Sequence, residues 1–86
     1  MPMRVFLHRH FEKQLRKLPK GIKLQFVERL ELFLDNPSNP LLRVHLLSGE
    51  KYPLESMNVS ADYRALFIRN KETITFYEIG THSELY

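Results

Sequence analysis

The sequence predicts an α+β domain of two layers, in the order β-α-α-β-β-β-β, with a helical hairpin packed on one face of a mostly antiparallel sheet. Three observations carry that expectation. Apolar residues recur at helical spacing in two segments that precede residue 37, and they alternate with polar ones in short segments after Pro40. The links between those later segments are short enough to be hairpin turns. The chain has 86 residues, the length of one domain (1–86) with a modest core.

Each element has its own signal. "MRVFLHR" (3–9) is short, rich in β-formers, and reads as a first strand. In "HFEKQLRKL" (10–18), Phe11, Leu15 and Leu18 share one helical face, while Lys13, Arg16 and Lys17 share another. Pro19 and Gly21 then punctuate the chain. "IKLQFVERLELFLDN" (22–36) carries Ile22, Phe26, Leu30, Phe33 and Leu34 as a wide apolar stripe, with Glu28, Glu31 and Asp35 on the wet side. Pro37 and Pro40 end this helix, because each disfavours helical backbone in the residue before it.

"LRVHLL" (42–47), "YPLESMNVS" (52–60), "YRALFIR" (63–69) and "TITFYEI" (73–79) read as four strands linked through "SGEK", "AD" and "NKE". Pro53 stands near a strand start, where its missing donor is tolerable.

Composition removes several functions. There is no cysteine, hence no disulfide framework, thiolate nucleophile or zinc-finger spacing. The four histidines, at 8, 10, 45 and 82, have no ligand spacing beyond the His8/His10 pair, which falls at a strand-to-helix junction and reads as surface; no metal site is expected. The first ten residues carry charges and no long apolar run, so neither a signal peptide nor a membrane span is expected there. A cytoplasmic location is the expectation.

Charge is unevenly placed. Residues 1–30 hold eight Lys/Arg against Glu12 and Glu28, a net of +6, whereas residues 31–86 hold five basic and eight acidic groups, a net of −3. Such a basic half suits a phosphate-rich partner, and equally suits a solvated helix face.

The strand half supplies the reactive groups. Alternation in "RVHLL" puts Arg43 and His45 on the face opposite Val44 and Leu46. "SADYRALF" adds Asp62 at a turn and Arg64 just inside the next strand, and the last segment adds His82 and Tyr86. Taken singly, each has a plain structural reading: Arg64 in an ion pair, His45 as a solvated strand residue, Asp62 as a turn former. Taken together, they suit metal-free cleavage of RNA. That reaction needs a base to deprotonate a 2′-OH, an acid to protonate the departing 5′-oxygen, and cations to stabilise the phosphorane. Histidine as a residue type can be either acid or base near neutrality, arginine grips phosphate oxygens bidentately, and an aromatic ring can stack on an unpaired base.

"HFEKQLRKLP", "FLDNPSNPLLRVHLLSG", "DYRALF" and above all "IGTHSELY" resemble the RelE/ParE toxin superfamily, and within it the YafQ-like branch of ribosome-dependent mRNA endonucleases. The similarity runs over nearly the whole chain. It implies a RelE-like fold and the toxin of a type II toxin–antitoxin system. It further implies no cofactor, a cognate antitoxin protein as partner, and the ribosome and mRNA as targets.

Carried over by position, His82 matches the family's C-terminal catalytic histidine and Tyr86 the aromatic that follows it. His45 matches a histidine at the start of the second strand, and Asp62 an acidic residue in a strand connection. Asn58 stands where YafQ-like enzymes carry another histidine, and Ser56 where they carry an acidic residue. Asn58 can hydrogen-bond RNA but cannot exchange a proton near neutral pH. Arg64 matches a strand arginine common in the wider superfamily.

The roles implied are His82 as acid, His45 or Asp62 as base, Arg64 and Arg43 as phosphate clamps, and Tyr86 as a stacking ring. An inverted assignment of His45 and His82 stays open. The helix face with Lys13, Arg16, Lys17, Lys20 and Lys23 would hold ribosomal RNA. Two alternatives remain: a ParE-like DNA gyrase poison, or a non-catalytic RNA- or protein-binding member of the fold. His45, His82 and Tyr86 favour the nuclease.

Overall fold

In the computed structural model, which describes residues 3–86, β1 spans Arg4–Leu7, α1 Arg9–Arg16 and α2 Lys20–Asp35. They are followed by β2 (His45–Leu46), β3 (Glu55–Asn58), β4 (Tyr63–Arg69), β5 (Thr73–Thr81) and a last helical turn, α3 (His82–Leu85). The strands form one sheet in the order β1-β5-β4-β3-β2. β1 runs parallel to β5, from which it is separated in the chain by both helices and by β2, β3 and β4; the other pairings are antiparallel. The fold class is the one the apolar periodicities predict.

The helices cover one face through a cluster of phenylalanines. Phe11 of α1 and Phe26 of α2 lie 5.4 and 5.1 Å, centroid to centroid, from Phe76 of β5, and Phe33 lies 5.3 Å from Phe67 of β4. Leu42, Met57, Val59, Ala65, Ile74 and Ile79 complete this core. Leu34, expected on the buried stripe of α2, is 44% exposed: it stands one residue, or about 100° of helix, beyond Phe33. Among the described residues no helix is long and apolar enough to cross a membrane.

Three departures from simple alternation shape the opposite face. The strand expected over 42–47 contracts to His45–Leu46, because Arg43 adopts a left-handed backbone (φ 46°) and breaks the pleat. The strand expected over 52–60 contracts to Glu55–Asn58, and the link before it includes a single 3-10 turn at Gly49–Lys51. Part of this link lies over the sheet: Lys51 Nζ is 3.0 Å from Glu78 Oε2 on β5, and Ser56 and Leu66, register partners on the face away from the core, are fully buried.

The third departure is a β-bulge. Leu66 pairs with Glu78 but the next residue, Phe67, pairs with Phe76, so Tyr77 is the extra residue. The bulge shifts the phase of β5, and both Phe76 and Ile79 enter the core although they are three residues apart. Beyond the end of β1, the Ile79 N–H donates to Gln14 Oε1 of α1 at 2.8 Å, which ties the hairpin to the distal half of β5.

Candidate functional site

The site is assembled by strand register. β3 and β4 pair Asn58 with Arg64, β4 and β5 pair Arg64 with Gly80, and β2 and β3 pair His45 with Ser56. These residues share the face that the helices do not cover. Where β5 ends, the chain turns into α3 and brings His82 and Tyr86 over the same end of the sheet.

The result is an open cavity of about 610 Å³ lined by Arg43, Val44, His45, Leu47, Asn58, Arg64, His82 and Tyr86. It gathers six of the residues singled out in the sequence: Arg43, His45, Asn58, Arg64, His82 and Tyr86. Val44 and Leu47 have no chemical signature in the sequence and supply its apolar wall.

α3 holds His82 in position from several directions. Thr81 is the N-cap; its hydroxyl accepts from the Glu84 N–H at 3.2 Å while Glu84 Oε1 accepts from the Thr81 N–H at 2.8 Å. This reciprocal pair is a capping box, and its signature, Thr81-x-x-Glu84, stands in the sequence. The bond from the Thr81 backbone N–H, with the Thr81 hydroxyl second, lowers the Glu84 carboxyl below its usual range. Buried Leu85 anchors the turn from below. The helical bond from the Tyr86 N–H to the His82 carbonyl (3.1 Å) puts both side chains on one side, with ring centroids 4.6 Å apart.

Asp62 plays a different part from a cavity-lining carboxylate. It is exposed and does not line the cavity; its backbone carbonyl accepts the His82 N–H at 2.9 Å. Asp62 therefore fixes the start of α3 against the β3–β4 turn through an atom every residue carries.

Arg64 Nη1 donates to the carbonyls of Ser60, Ala61 and Tyr63 at 3.0–3.1 Å, which clamps the guanidinium at the same turn. Nε and Nη2 make no hydrogen bond among the described residues and stay available to an anion. On the opposite wall, His45 Nδ1 lies 2.8 Å from the Arg43 carbonyl.

The other basic residues lie elsewhere. Lys13, Arg16, Lys17 and Lys20 are exposed on the helical hairpin, and Lys23 is half-buried. Lys17 lines a smaller depression with Gln14, Gly80, Glu84 and Leu85, so this end of the basic face adjoins α3. His8 caps α1, its Nδ1 accepting from the His10 N–H at 3.1 Å, and both imidazoles are exposed.

No family model matches this sequence, and no curated protein does. Solved structures match it closely in shape. A chain of the E. coli DinJ-YafQ toxin-antitoxin complex superposes with a TM-score of 0.81 at 16% identity, covering 100% of this chain and 99% of that one. YafQ from E. coli solved on its own gives 0.75 at 16% identity, with 98% of each chain covered. The archaeal RelE-RelB complex from Pyrococcus horikoshii gives 0.74 at 24% identity, covering 94% of this chain and 96% of that one. These superpositions run nearly end to end on both chains, and this chain has the fold of the YafQ and RelE toxins.

Proposed function

We propose that this protein is the toxin of a toxin–antitoxin pair, a ribosome-dependent endoribonuclease that cuts mRNA by acid–base catalysis and so inhibits translation. The observation that carries the reading is one cavity in which β2 and the residues just before it, β4, and α3 with its C-cap Tyr86 gather two imidazoles, two guanidiniums and a phenol. The fold likeness to YafQ and RelE supports it.

In the proposed reaction His45 takes the proton of a 2′-OH, and the resulting oxyanion attacks the adjacent phosphorus. The bond to the 5′-oxygen breaks, and His82 gives that oxygen its proton, leaving a 2′,3′-cyclic phosphate and a 5′-hydroxyl. Arg64, already clamped at the turn, and Arg43 stabilise the extra negative charge of the phosphorane. Tyr86, 48% exposed and packed at a tilt against His82, offers its free face to the base next to the scissile bond. Asn58, which lines the same cavity, donates hydrogen bonds without exchanging protons. His45 takes the role of base ahead of Asp62, because Asp62 lies outside the cavity wall.

Lys13, Arg16, Lys17, Lys20 and Lys23 are proposed to hold ribosomal RNA, leaving the open face to the message. A cognate antitoxin would neutralise the protein by covering that face and the hairpin beside it.

The test is message cleavage in an in-vitro translation reaction, read by mapping new 5′ ends. The wild-type protein should cut, and His82→Ala should cut about 10²–10⁴ times more slowly, as expected for loss of a general acid. Undiminished cleavage by His82→Ala would remove that residue from the mechanism. An intact message with wild-type protein would remove the nuclease reading itself.

A further inference from the structure

We propose that Arg43 acts on His45 through its own backbone: its left-handed conformation presents a carbonyl that holds His45 in the tautomer a general base requires. The inference rests on the nuclease reading for its catalytic meaning, but its structural content is independent of it.

Arg43 is the only non-glycine residue with positive φ among the described residues. That region is disfavoured for any residue with a Cβ, and single residues are kept there only when their surroundings over-determine them. The surroundings here do so. Leu42, immediately before, is fully buried, and its carbonyl accepts the Asn58 N–H at 2.7 Å. The Arg43 N–H reaches the Pro40 carbonyl at 3.3 Å, and two residues later His45 is paired with Ser56 on β3. The bend between a buried anchor and a sheet pairing leaves the Arg43 carbonyl pointing at the imidazole.

The contact, 2.8 Å from Nδ1 to the carbonyl oxygen, has one chemical reading. A carbonyl has no proton to give, so Nδ1 must be the donor, and in the neutral ring Nε2 is then the bare acceptor. Nε2 is therefore the atom that receives the 2′-OH proton. Once it has done so, the bond from Nδ1–H to the carbonyl becomes charge-assisted and keeps the ring in place. This is the orienting part that a carboxylate plays for the histidine of a serine-protease triad, filled here by a main-chain oxygen. Arg43 is a positioning residue in this respect, whatever its guanidinium does in the cavity.

The consequence for sequence is unusual. What matters at position 43 is tolerance of positive φ as much as charge, so Asn and Gly can replace Arg for this purpose and a β-branched residue cannot.

The experiment reads the tautomer directly, by long-range ¹H–¹⁵N NMR of the His45 ring in the unliganded protein at a pH where the ring is neutral. The wild type should show a protonated, pyrrole-type Nδ1 and a pyridine-type Nε2. Arg43→Asn and Arg43→Gly should keep that pattern, and Arg43→Val should mix the tautomers. In the cleavage assay all three variants lack the guanidinium, so a ratio isolates the carbonyl. Asn and Gly should each cut about tenfold or more faster than Val, a discrimination within the range that tautomer control has in triads.

A wild-type ring protonated at Nε2 would overturn the proposal, and so would tautomers identical in all four proteins. If Arg43→Val does not fold, the wild-type spectrum and the Asn and Gly variants still decide it. A protein with the expected tautomer that cuts no RNA would refute the nuclease reading while leaving the positioning of His45 standing.

Discussion

The two faces of the sheet are built by opposite means. On the helix side, five phenylalanines (Phe11, Phe26, Phe33, Phe67 and Phe76) are at most 3% exposed, and their rings meet at centroid distances of 5.1–5.4 Å. On the other side, Arg43, His45, His82 and Tyr86 are exposed around an open cavity, held by a few hydrogen bonds that mostly use main-chain atoms. The first face secures the fold by area and close packing. The second contributes little to stability, which leaves its side chains free to be chosen for chemistry. Stability and activity should therefore separate cleanly by face.

The sharpest way to break the comparison is at Phe76, whose ring touches those of Phe11, Phe26 and Phe67. Phe76→Ala removes the common member of that cluster and should cost about 3–5 kcal/mol, a large share of the roughly 5–15 kcal/mol margin typical of a domain. Urea denaturation should show a large fall in midpoint, with activity lost along with the fold. The His82→Ala protein supplies the contrast, because its side chain is exposed. Its midpoint should stay within about 1 kcal/mol of wild type while its cleavage falls. Equal losses of stability in the two variants would mean that the faces are not independent.

The helix-covered face is the more legible in sequence. Phe11, Phe26 and Phe33 sit at helical spacing, and the "NKE" link is recognisable as a turn; there Asn70 Oδ1 accepts from the Glu72 and Thr73 N–H groups at 2.9 Å. Period alone defines such elements. Alternation also suffices to bring Asn58 and Arg64 to one side, since their strands are simple antiparallel partners.

The open face is harder to read because its decisive features have no side-chain period. No glycine marks the left-handed turn at Arg43, so a six-residue strand is the natural expectation there. The bulge at Tyr77 reverses the phase of β5 midway, which alternation cannot foresee. Asp62 acts through a carbonyl, an atom common to every position. α3 is the exception, for Thr81-x-x-Glu84 is a helix-start signal; its position at the end of the chain makes it easy to read as a tail.

That capping box gives the next, more local effect. Because Thr81 lowers the Glu84 carboxyl, the charged form is favoured in the folded protein. A depressed carboxyl contributes stability that is fully present above its unfolded value and is lost as pH falls through its folded value. At neutral pH α3 should be fully formed, and it should fray only as pH drops below the usual glutamate range. Amide chemical shifts and exchange of His82 and Tyr86 would report it, with β4 and β5 unaffected at the onset. Glu84→Gln, which can still accept from the Thr81 N–H, should remove the acid dependence while keeping the turn; Glu84→Ala should fray it at every pH. A turn that persists in acid equally in wild type and Glu84→Gln would show that Leu85, not the capping box, holds it.

The smallest effect probes where the two faces stop being opposites. Ser56 points away from the helices, yet it is fully buried beside Leu66, and its hydroxyl has no hydrogen-bond partner among the described residues. The link that carries Lys51 to Glu78 thus covers a strip of the open face and makes it as inaccessible as the core. A buried hydroxyl without a partner bears a desolvation cost that a methyl group does not. Ser56→Ala should therefore be neutral or stabilising, by up to about 1 kcal/mol in urea denaturation. The cavity lies to one side of that strip, and cleavage should not change. A loss of more than about 1 kcal/mol would mean that the hydroxyl is bonded in solution, and that the strip beneath the link is wet and belongs with the cavity rather than with the core.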